Sequence, residues 1–324
     1  MNEKVVIGLV LFNSAEFLKP CLESIFGQDY PDYKIVLVDN ASNDRTSEVV
    51  KDYFEKVEYI RLEENTGFGR GHNIGIETAV KNNSKYYLAL NPDSIIDKNF
   101  LKHPVNFLEE YNDYGGVSSR VMRLINGKLS SEPDVHGGYL KKYISYRNSD
   151  DPEKECDIFI LPGTAPVYRI KALQECFMDG YFDPDYFLYF EDIDLSWRLK
   201  HRGWDIRYIP NSKAWHVKGG STQNKDSFFT KSPCYKGEIL KNRYSTIIKN
   251  LPFPIFLRLL PWLILAEIAI FLYFLFANPK GLKFYFKAVK DTFKRRKILF
   301  QYREKILSES KLSCWRIKGM IKGL

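Results

Sequence analysis

The sequence predicts an α/β protein with a mostly parallel β-sheet flanked by helices. In the first third of the 324 residues, short β-branched runs alternate with segments of helical periodicity. These runs are almost continuously apolar, which is typical of parallel strands covered on both faces. Polar residues follow each run directly, where sheets of this kind bind their ligands. Together these observations favour a large α/β domain with a C-terminal extension.

Seven elements are expected in this first third, alternating strand and helix. The strands are expected at 5–12, 34–38, 57–62 and 86–90, and the helices at 15–26, 46–54 and 69–81. Ser14 stands where an N-cap of the first helix is expected.

The middle of the chain is less regular. Residues 131–157 are polar and predict a long loop or a hairpin over the site. A strand over 158–168 is expected to be interrupted by Pro162-Gly163, because proline cannot donate to a sheet. A short helix over 192–201 and a strand over 204–209 follow.

The net charge of +8 is concentrated in the C-terminal tail. Residues 278–324 contain 14 Lys or Arg against 3 Asp or Glu, a net charge of +11, so residues 1–277 carry −3. This excess predicts an anionic partner for the tail alone. An anionic membrane surface and nucleic acid are the two candidates, and nucleic acid is the less favoured one.

The segment 255–277 is almost wholly apolar and long enough to cross a bilayer, although Arg258, Pro261 and Glu267 interrupt it. Both of its flanks are basic. A single crossing would place the basic tail outside the cell, against the positive-inside tendency. We therefore expect 252–324 to associate with a membrane through a re-entrant or in-plane segment, with Lys294-Arg-Arg-Lys297 at anionic headgroups. A core helix of a soluble protein is the alternative.

The cysteines and the N-terminus favour a cytosolic setting. The five cysteines are widely spaced without metal-type pairs, which is typical of reduced thiols. Residues 1–12 have the pattern of a first strand rather than of a signal peptide. We expect a peripheral or monotopic protein at the cytoplasmic face of the cell membrane.

Two polar segments follow predicted strands near the N-terminus. Asp39 opens the first, and a carboxylate at a strand end can accept the imide N–H of a uracil or thymine ring. Composition equally favours a turn or helix cap for this segment. The second, 65–75, is glycine-rich and opens a helix, so that its backbone N–H groups and Arg70 can approach a phosphate. Its glycine spacing is not that of a dinucleotide fingerprint.

A candidate metal site involves Asn91-Pro-Asp93, which follows an apolar run. Mg²⁺ and Mn²⁺ take one or two protein carboxylates plus phosphate oxygens, so an ion here can bridge Asp93 to a diphosphate. His216, after a strand-like segment, is a candidate further ligand. For a lone histidine a hydrogen-bonded structural role is commoner, and only the neighbouring motifs favour the metal.

Glu191, Asp192 and Asp194 form a dense acidic group behind an aromatic run. At a helix start, acidic residues also simply favour the helix dipole. The functional alternative is a general base that takes a proton from an acceptor hydroxyl as it attacks an anomeric carbon.

In this order, the segments resemble glycosyltransferase family 2, and within it the bacterial rhamnosyltransferase-like branch. The resemblance covers about residues 4–225. The matching segments are Val38-Asp-Asn-Ala-Ser42, Asn65-Thr-Gly-Phe-Gly69, Asn73-Ile-Gly75, Leu90-Asn-Pro-Asp93, Phe187-Leu-Tyr-Phe-Glu-Asp-Ile-Asp-Leu195, and Pro210 with His216-Val-Lys-Gly-Gly-Ser221. Three positions depart from the family pattern. The DxD-like triplet begins with Asn91, and Arg70 and His72 stand where the family loop often has glycine and asparagine.

The resemblance implies a GT-A type fold and inverting transfer from a nucleoside diphosphate sugar. It implies Asp192 as the catalytic base with Glu191 beside it, and Asp93 and His216 as ligands of Mg²⁺ or Mn²⁺. The donor-binding residues are taken to be Asp39, Asn40, Asn65, Gly67, Arg70, Asn91 and Asp93. The implied regions are a nucleotide-sugar-binding half, 1–116, an acceptor-binding and catalytic half, 117–225, and a helical, basic, membrane-associating region, 226–324.

The branch favours transfer of L-rhamnose from dTDP-L-rhamnose to a hydroxyl of a lipid-linked glycan, in the synthesis of cell-surface polysaccharide. The closest alternative is a UDP-hexose, UDP-galactofuranose or UDP-N-acetylhexosamine donor. A polyprenyl-phosphate glycosyltransferase is a further one. A non-catalytic glycan- or nucleotide-binding homologue is disfavoured, because Asp93, Asp192 and His216 are all present.

Overall fold

The computed structural model describes residues 3–217 and 228–313, Ile317, Gly319 and residues 321–322. Cys314 and the 218–221 part of the last matched motif therefore lie outside the described residues. The strands are β1 (Val5–Leu11), β2 (Tyr33–Asp39), β3 (Glu58–Arg61), β4 (Tyr86–Leu90), β5 (Ser94–Ile96), β6 (Tyr114–Ile125), β7 (Lys128–Pro133), β8 (Gly138–Lys141), β9 (Tyr146–Asn148), β10 (Cys156–Asp157), β11 (Val167–Arg169), β12 (Asp205–His216) and β13 (Ile321–Lys322). The helices are α1 (Ala15–Phe26), α2 (Thr46–Lys51), α3 (Phe68–Lys81), α4 (Lys102–Glu110), α5 (Ile170–Glu175), α6 (Glu191–His201), α7 (Pro233–Asn250), α8 (Phe253–Leu272), α9 (Leu282–Lys294) and α10 (Arg296–Ser308).

The predicted α/β class with a mostly parallel sheet is confirmed. The main sheet has the strand order β10-β12-β6-β11-β4-β1-β2-β3, with β5 added beside β12 and β7 beside β6. The β4-β1-β2-β3 part is parallel, β11 runs antiparallel to β4 and β6, and β12 is parallel to β6. A smaller sheet consists of β8, β9 and β13.

Helices cover both faces of the parallel part, as the continuous apolar runs predict. Alternate residues of β1 point to opposite faces: Ile7 belongs to the core cluster under α1, whereas Val6 belongs to the cluster under α3. An apolar stripe of α1, which includes Leu22, covers one face of the sheet. A stripe of α3, which includes Ile76, covers the other. Parallel strands buried on both faces leave their carboxyl ends as the accessible edge.

Two predictions near the N-terminus needed correction. The helix predicted over 46–54 ends at Lys51, because the chain turns there with a hydrogen bond from the Lys56 N–H to the Tyr53 carbonyl. Helix α1 has its predicted bounds, but Ser14 makes no side-chain cap. Its hydroxyl instead accepts the N–H of Phe12.

The strand predicted over 158–168 is reduced to β11. Backbone groups before it are used by another element: Leu161 N–H donates to the Ser196 hydroxyl and Gly163 N–H to the Asp192 carboxylate, both on α6. Pro162 has no N–H to offer a neighbouring strand. The segment therefore joins the sheet to α6 instead of extending the sheet.

The polar segment 131–157 contains the end of β7, the β8–β9 hairpin and β10, so the alternative of a hairpin describes it better than a loop. The strand predicted over 204–209 continues as β12 to His216, through a register shift between Ile209 and Lys213. The sequence did not predict this continuation, because Pro210 is disfavoured in the interior of a strand. The longer strand brings His216 opposite Ser94 of β5.

Candidate functional site

Polar loops at the carboxyl edge of the parallel strands are tied to one another. The loop after β1 bonds to the loop after β2 through the Asn13 N–H to the Ser42 hydroxyl, at 3.0 Å, and the Asn43 N–H to the Asn13 side-chain oxygen, at 2.8 Å. The Ser14 N–H donates to the Thr46 hydroxyl at 2.8 Å. This edge is thus a fixed platform where the sequence predicts ligand binding.

Asp39, at the end of β2, is fully buried and already has three donors. One oxygen accepts the Tyr59 hydroxyl at 2.7 Å and Arg61 Nη1 at 2.6 Å, and the other accepts the Ser42 N–H at 2.9 Å. Arg61 is the accessible member of this group, with 45% of its side chain exposed. The sequence analysis missed Arg61 and Tyr59. In the parallel pairing of β2 with β3, Arg61 lies beside Asp39. This register is the observation from which Arg61 could have been identified.

Asn40 and Asn65 hold the glycine-rich loop. The Asn40 amide donates to the Gly67 carbonyl at 3.0 Å and accepts the Thr66 N–H at 2.8 Å, while Asn65 accepts the Gly67 N–H at 3.0 Å. Gly67 has φ of 88°, and a Cβ there would lie 2.3 Å from the Phe187 carbonyl oxygen. Only glycine fits this close approach. These residues therefore bring the loop against the aromatic run that precedes Glu191.

Arg70 and Asn73 bond to the same downstream segment. Arg70 Nε donates to the Pro184 carbonyl at 2.7 Å and is otherwise exposed. The Asn73 amide makes a pair of hydrogen bonds to the backbone of Phe182, at 2.8 and 2.9 Å. His72 is buried and bonds to the Tyr87 hydroxyl at 2.8 Å, and burial lowers its pKa to about 3. Of the two departures from the family loop, only Arg70 is accessible to a ligand.

Asp93 and His216 meet as the sequence predicts. His216 Nε2 lies 3.3 Å from Asp93 Oδ1, and the Asp93 carbonyl accepts the Val217 N–H at 3.0 Å. Asn91 is beside them, with its amide nitrogen 3.4 Å from His216 Nε2. The second oxygen of Asp93 is buried and has no hydrogen-bond partner among the described residues.

A further carboxylate, Asp134, holds the other side of the imidazole. His216 Nδ1 lies 3.0 Å from Asp134 Oδ2. Burial lowers the pKa of His216, but hydrogen bonds and charges from Asp134 and Asp93 outweigh it and raise that pKa to about 10. The imidazole between the two carboxylates is therefore protonated at neutral pH. The sequence analysis missed Asp134, because nothing in the local sequence after β7 indicates that it meets β12.

The side chains of Asp93 and His216 fit a hard divalent cation that is also coordinated by a bound ligand. Adjacent ligands of an octahedral Mg²⁺ are about 3 Å apart, given metal–oxygen distances of about 2.1 Å, and the Asp93–His216 contact is close to this. The unpartnered Asp93 oxygen is also an acceptor that a cation could use. A carboxylate behind a ligating histidine is the usual second partner of such sites. Among the described residues no group of three His, Cys, Asp or Glu side chains could hold a metal, so phosphate oxygens would complete the set.

The acidic pair starts α6 after a strained turn. Tyr189 and Phe190 have φ of 70° and 71°, in the left-handed region that side chains other than glycine rarely adopt. Strain of this kind costs about 1–3 kcal/mol per residue and persists where surrounding structure fixes it. Here the Asn242 amide of α7 donates to the Leu188 carbonyl at 3.1 Å and the Tyr189 carbonyl at 2.8 Å. The turn places the first residues of α6 against the 161–163 segment, where Asp192 accepts the Gly163 N–H.

Glu191 and Asp192 have different surroundings. Burial and then the charge of Asp192 raise the pKa of Glu191 well above its usual value, and one of its oxygens is buried without a partner among the described residues. Burial also raises the pKa of Asp192, although the Ile193 N–H at 2.8 Å and the Gly163 N–H at 3.1 Å oppose the rise. A half-buried carboxylate with a raised pKa is a stronger base than an exposed one.

Gly163 and Thr164 join the acidic pair to the Asn91-Pro-Asp93 motif. The Gly163 N–H donates to Asp192, and the carbonyl of Thr164 accepts the Asn91 N–H at 3.0 Å. Consecutive Cα atoms are only about 3.8 Å apart. The candidate base and the candidate metal-binding triplet are therefore held by neighbouring residues. The sequence marked 162–163 only as a break in a strand.

Helix α7 fixes α6 from behind with a buried ionic network. Lys249 Nζ lies 2.6 Å from Asp183 and 2.8 Å from Asp194, and Arg198 Nε lies 2.9 Å from Asp194. All four charged side chains are at most 2% exposed. The Asn250 amide also donates to Asp194, at 2.8 Å. Asp194, grouped with the acidic pair by sequence, is thus a structural residue.

The sequence of the chain is similar to sequences of known glycosyltransferases. A model of the family described as Glycosyl transferase family 2 matches residues 6–177, more than half of the chain. A poly-beta-1,6-N-acetyl-D-glucosamine synthase of Staphylococcus epidermidis is 25% identical over 220 residues, which cover 66% of this chain and 50% of that protein. The chain thus spans about half the length of the curated relatives it matches.

Solved structures resemble the chain in fold. GalNAc-T7 with UDP, GalNAc and Mn²⁺ has a TM-score of 0.62 and 15% identity, covering 76% of this chain and 48% of that one. TarS 1-349 of S. aureus in complex with UDP-GlcNAc has a TM-score of 0.56 and 18% identity, covering 98% and 84%. At such identities the likeness concerns the fold alone, which is GT-A type as expected.

Proposed function

Because the chain belongs to glycosyl transferase family 2, we propose that it is an inverting glycosyltransferase that uses a nucleoside diphosphate sugar in the synthesis of cell-surface polysaccharide. The observation that carries this proposal is the Gly163–Thr164 connection. It holds the candidate base Asp192 beside the triplet that contains Asp93. A displacement at an anomeric carbon needs a base and a stabilised leaving group on opposite sides of one carbon.

The donor we propose is a UDP-N-acetylhexosamine. The sequence alone favoured dTDP-L-rhamnose, through a resemblance to one branch of the family. The names of the relative and the neighbours favour N-acetylhexosamine instead: a poly-beta-1,6-N-acetyl-D-glucosamine synthase, TarS with UDP-GlcNAc, and GalNAc-T7 with UDP and GalNAc. On the donor side the exposed Arg61, oriented by the buried Asp39, would meet the pyrimidine, and the 65–67 loop, Arg70 and Asn91 would border the diphosphate.

Asp93 and His216 would hold Mg²⁺ or Mn²⁺, and His216 would exchange its proton for the metal. When bound, the metal neutralises charge that develops on the departing diphosphate. Asp192 takes the proton of the acceptor hydroxyl as the hydroxyl oxygen bonds to the anomeric carbon and the bond to the diphosphate breaks. One such displacement inverts the anomeric centre. Burial and the charge of Asp192 raise the pKa of Glu191, which disfavours a second negative charge beside Asp192.

The acceptor we propose is a hydroxyl of a lipid-linked glycan, which the protein meets as a peripheral or monotopic protein at the cytoplasmic face of the membrane. The support is the helix that runs over Phe253–Ala277, which is long and apolar enough to cross a membrane and is only 17% buried over its most apolar stretch. The division into 1–116, 117–225 and 226–324 belongs to the same proposal.

Release of nucleotide from a panel of UDP-, dTDP- and GDP-sugars, with Mg²⁺ or Mn²⁺, tests this function. We expect release from a UDP-N-acetylhexosamine by the wild type and loss of it in Asp93→Ala, while Glu110→Ala, an exposed carboxylate in α4, stays unchanged. Asp192→Asn should bind the donor normally but transfer to a glycan hydroxyl about 10²–10⁴-fold more slowly.

The outcomes separate the alternatives. Release from dTDP-L-rhamnose alone would restore the rhamnose donor. Normal transfer by Asp192→Asn would favour a phosphate acceptor, which needs no deprotonation. No donor binding by calorimetry and no turnover would contradict the enzyme proposal and favour a non-catalytic homologue.

A further inference from the structure

One face of α8 packs on the protein along most of the helix. Ile255 and Leu259 are buried in a cluster with Trp197 of the catalytic helix α6. Two residues after its end, Phe274 is fully buried in a cluster with Leu240 of α7. Residues four apart lie on one helix face, and Ile255, Leu259 and Glu267 follow this spacing. A helix held near both ends lies alongside the protein and does not project from it.

Glu267, the acidic residue of α8, faces this protein side. Its carboxylate accepts the hydroxyls of Tyr244 at 2.5 Å and Tyr285 at 2.9 Å, and Arg243 Nη1 lies 3.5 Å away. Glu267, one of the three residues that interrupt the apolar sequence, is therefore paired inside the protein. The outer surface of α8 keeps its apolar character in spite of Glu267.

The outer surface of α8 exposes large apolar side chains along its length, with Arg258 as an exposed charged residue among them. Phe276, just after the helix, is 77% exposed, and Leu265 is 58% exposed. Others are Phe253, Leu257, Trp262 and Ile268, each at least 44% exposed. A continuous exposed apolar surface of this length marks an interaction site.

The α9–α10 pair carries a second apolar stripe, bordered by cations. Phe286, Val289 and Phe293 of α9 are 43–64% exposed, and Phe300 of α10 is 59% exposed. Exposed lysines lie among them, at 283, 290, 294 and 297. Exposed aromatic rings interleaved with lysines suit the boundary between acyl chains and anionic headgroups. This charge pattern selects an anionic bilayer over an apolar protein groove.

We propose that α8 lies in the plane of one leaflet of an anionic bilayer, with the α9–α10 stripe as a second contact, and does not span the membrane. Tyr285 of α9 packs on Phe271 and Phe274, with ring centroids 5.6 and 5.8 Å apart. A spanning α8 would draw the lysines of α9 into hydrocarbon, where each charge is strongly disfavoured. An in-plane α8 leaves them at the headgroups. This inference rests on the proposed membrane association and not on the identity of the donor.

The in-plane arrangement brings the leaflet beside the candidate site. Lys142, in the turn of the β8–β9 hairpin, lies 4.5 Å from the ring centroid of Trp262, and Ile144 of the same turn is buried in the cluster that contains Leu259. The chain that leads into this hairpin carries Asp134, which holds His216. An acceptor attached to a lipid would thus reach the site from the membrane side.

Sedimentation of the full chain with vesicles tests the surface. Vesicles would be phosphatidylcholine alone or mixed with phosphatidylglycerol. We expect binding to the mixed vesicles, and a loss of at least about tenfold in the Leu265→Glu/Ile268→Glu variant, since both side chains leave the acyl region. Phe54→Glu, an equally exposed phenylalanine near α2, is the matched control and should bind like the wild type. Wild-type binding by the double variant would overturn the proposal.

Labelling with a membrane-impermeant maleimide separates an in-plane from a spanning helix. Single-cysteine proteins would keep Cys234, which is exposed before α8, or carry Lys297→Cys after it, with the other cysteines replaced by serine. For protein added to preformed vesicles, we expect both sites to be labelled as fully as in detergent. A site labelled only after lysis would show a crossing. Nucleotide release in detergent reports the proposed activity separately.

Discussion

At the level of single residues, the candidate site consists of ionisable side chains whose position and charge depend on neighbouring residues. Asp39 was correctly expected at a strand end, but Tyr59 and Arg61, which occupy it, come from the next strand. His216 was expected beside Asp93, and the contact of 3.3 Å agrees. Asp134 escaped the sequence analysis because its contact with His216 spans 82 residues. Local patterns identify residues at strand ends, whereas partners from distant elements need the fold.

Asp134 is expected to position His216 for a metal. In Asp134→Asn an amide replaces the carboxylate that fixes the imidazole, so metal affinity should fall by about 10–100-fold. Calorimetric titration of Mn²⁺ in the presence of UDP measures this directly, and high metal concentrations should restore the rate. Glu132→Gln, an exposed neighbour, is the control. An unchanged metal dependence in Asp134→Asn would exclude the positioning role.

At the level of elements, the alternating pattern predicted the N-terminal strands and helices well, because each buries a regular apolar stripe. The segments whose structure differs from the prediction are the ones that position the candidate site. Segment 158–166 was expected to be mostly strand, yet its backbone groups bind α6 and the Asn91 turn. β12 passes through Pro210 to reach His216. In both cases contacts with distant residues outweigh local propensity, and no sequence pattern reports those contacts.

The conformation of the loop before α3 is expected to require glycine at position 67. In Gly67→Ala the Cβ would meet the Phe187 carbonyl, so the loop must move away from the turn before α6. We expect a loss of at least about 1 kcal/mol in unfolding free energy together with a raised KM for the donor. Denaturant unfolding and donor kinetics measure the two effects.

Gly127→Ala is the matched control for this change. Gly127 also has a positive φ, 72°, but an added Cβ would meet nothing within 4 Å. It should therefore show the conformational cost without the change in KM. Equal KM effects in both variants would contradict the role assigned to the Gly67–Phe187 contact.

At the level of the whole molecule, the C-terminal region is not a mere appendage. The basic tail and the apolar segment predicted a membrane-associating region, and no local pattern indicated that α7 would support the candidate site. Asn242 holds the strained turn, and Lys249 pairs with Asp183 and Asp194 inside the protein. The same helix offers Arg243 and Tyr244 to Glu267 of α8. α7 therefore joins the candidate site to the proposed membrane surface.

The ionic network is expected to contribute strongly to stability. Lys249→Met removes the cation shared by two buried carboxylates, leaving Asp194 with only Arg198 and Asp183 with only the more distant Arg295 as a cation among the described residues. It should lower the free energy of unfolding by about 3–5 kcal/mol. Adding Asp183→Asn should recover part of this loss in a double-mutant cycle. Although burial raises it, Lys249 and Arg295 lower the pKa of Asp183 from 3.8 to about 2. The stabilisation from ionised Asp183 is therefore present above pH 3.8 and should be lost as the pH falls to about 2.

Denaturant unfolding between pH 6 and pH 2 measures this dependence (about four pH steps suffice). In Lys249→Met the acid-dependent loss over this window should be smaller than in the wild type. A variant as stable as the wild type would mean that the network contributes little.

The position of α7 in the chain has a consequence for the order of synthesis. Chains leave the ribosome from the N-terminus, and early segments fold first. The parallel β4-β1-β2-β3 part of the main sheet can form once β4 has emerged. The turn before Glu191, however, waits for Asn242, and α6 waits for Lys249. The next segment to emerge is the apolar α8. A nascent chain thus completes the turn before Glu191 only as the apolar helix that we propose to lie in the membrane begins to emerge.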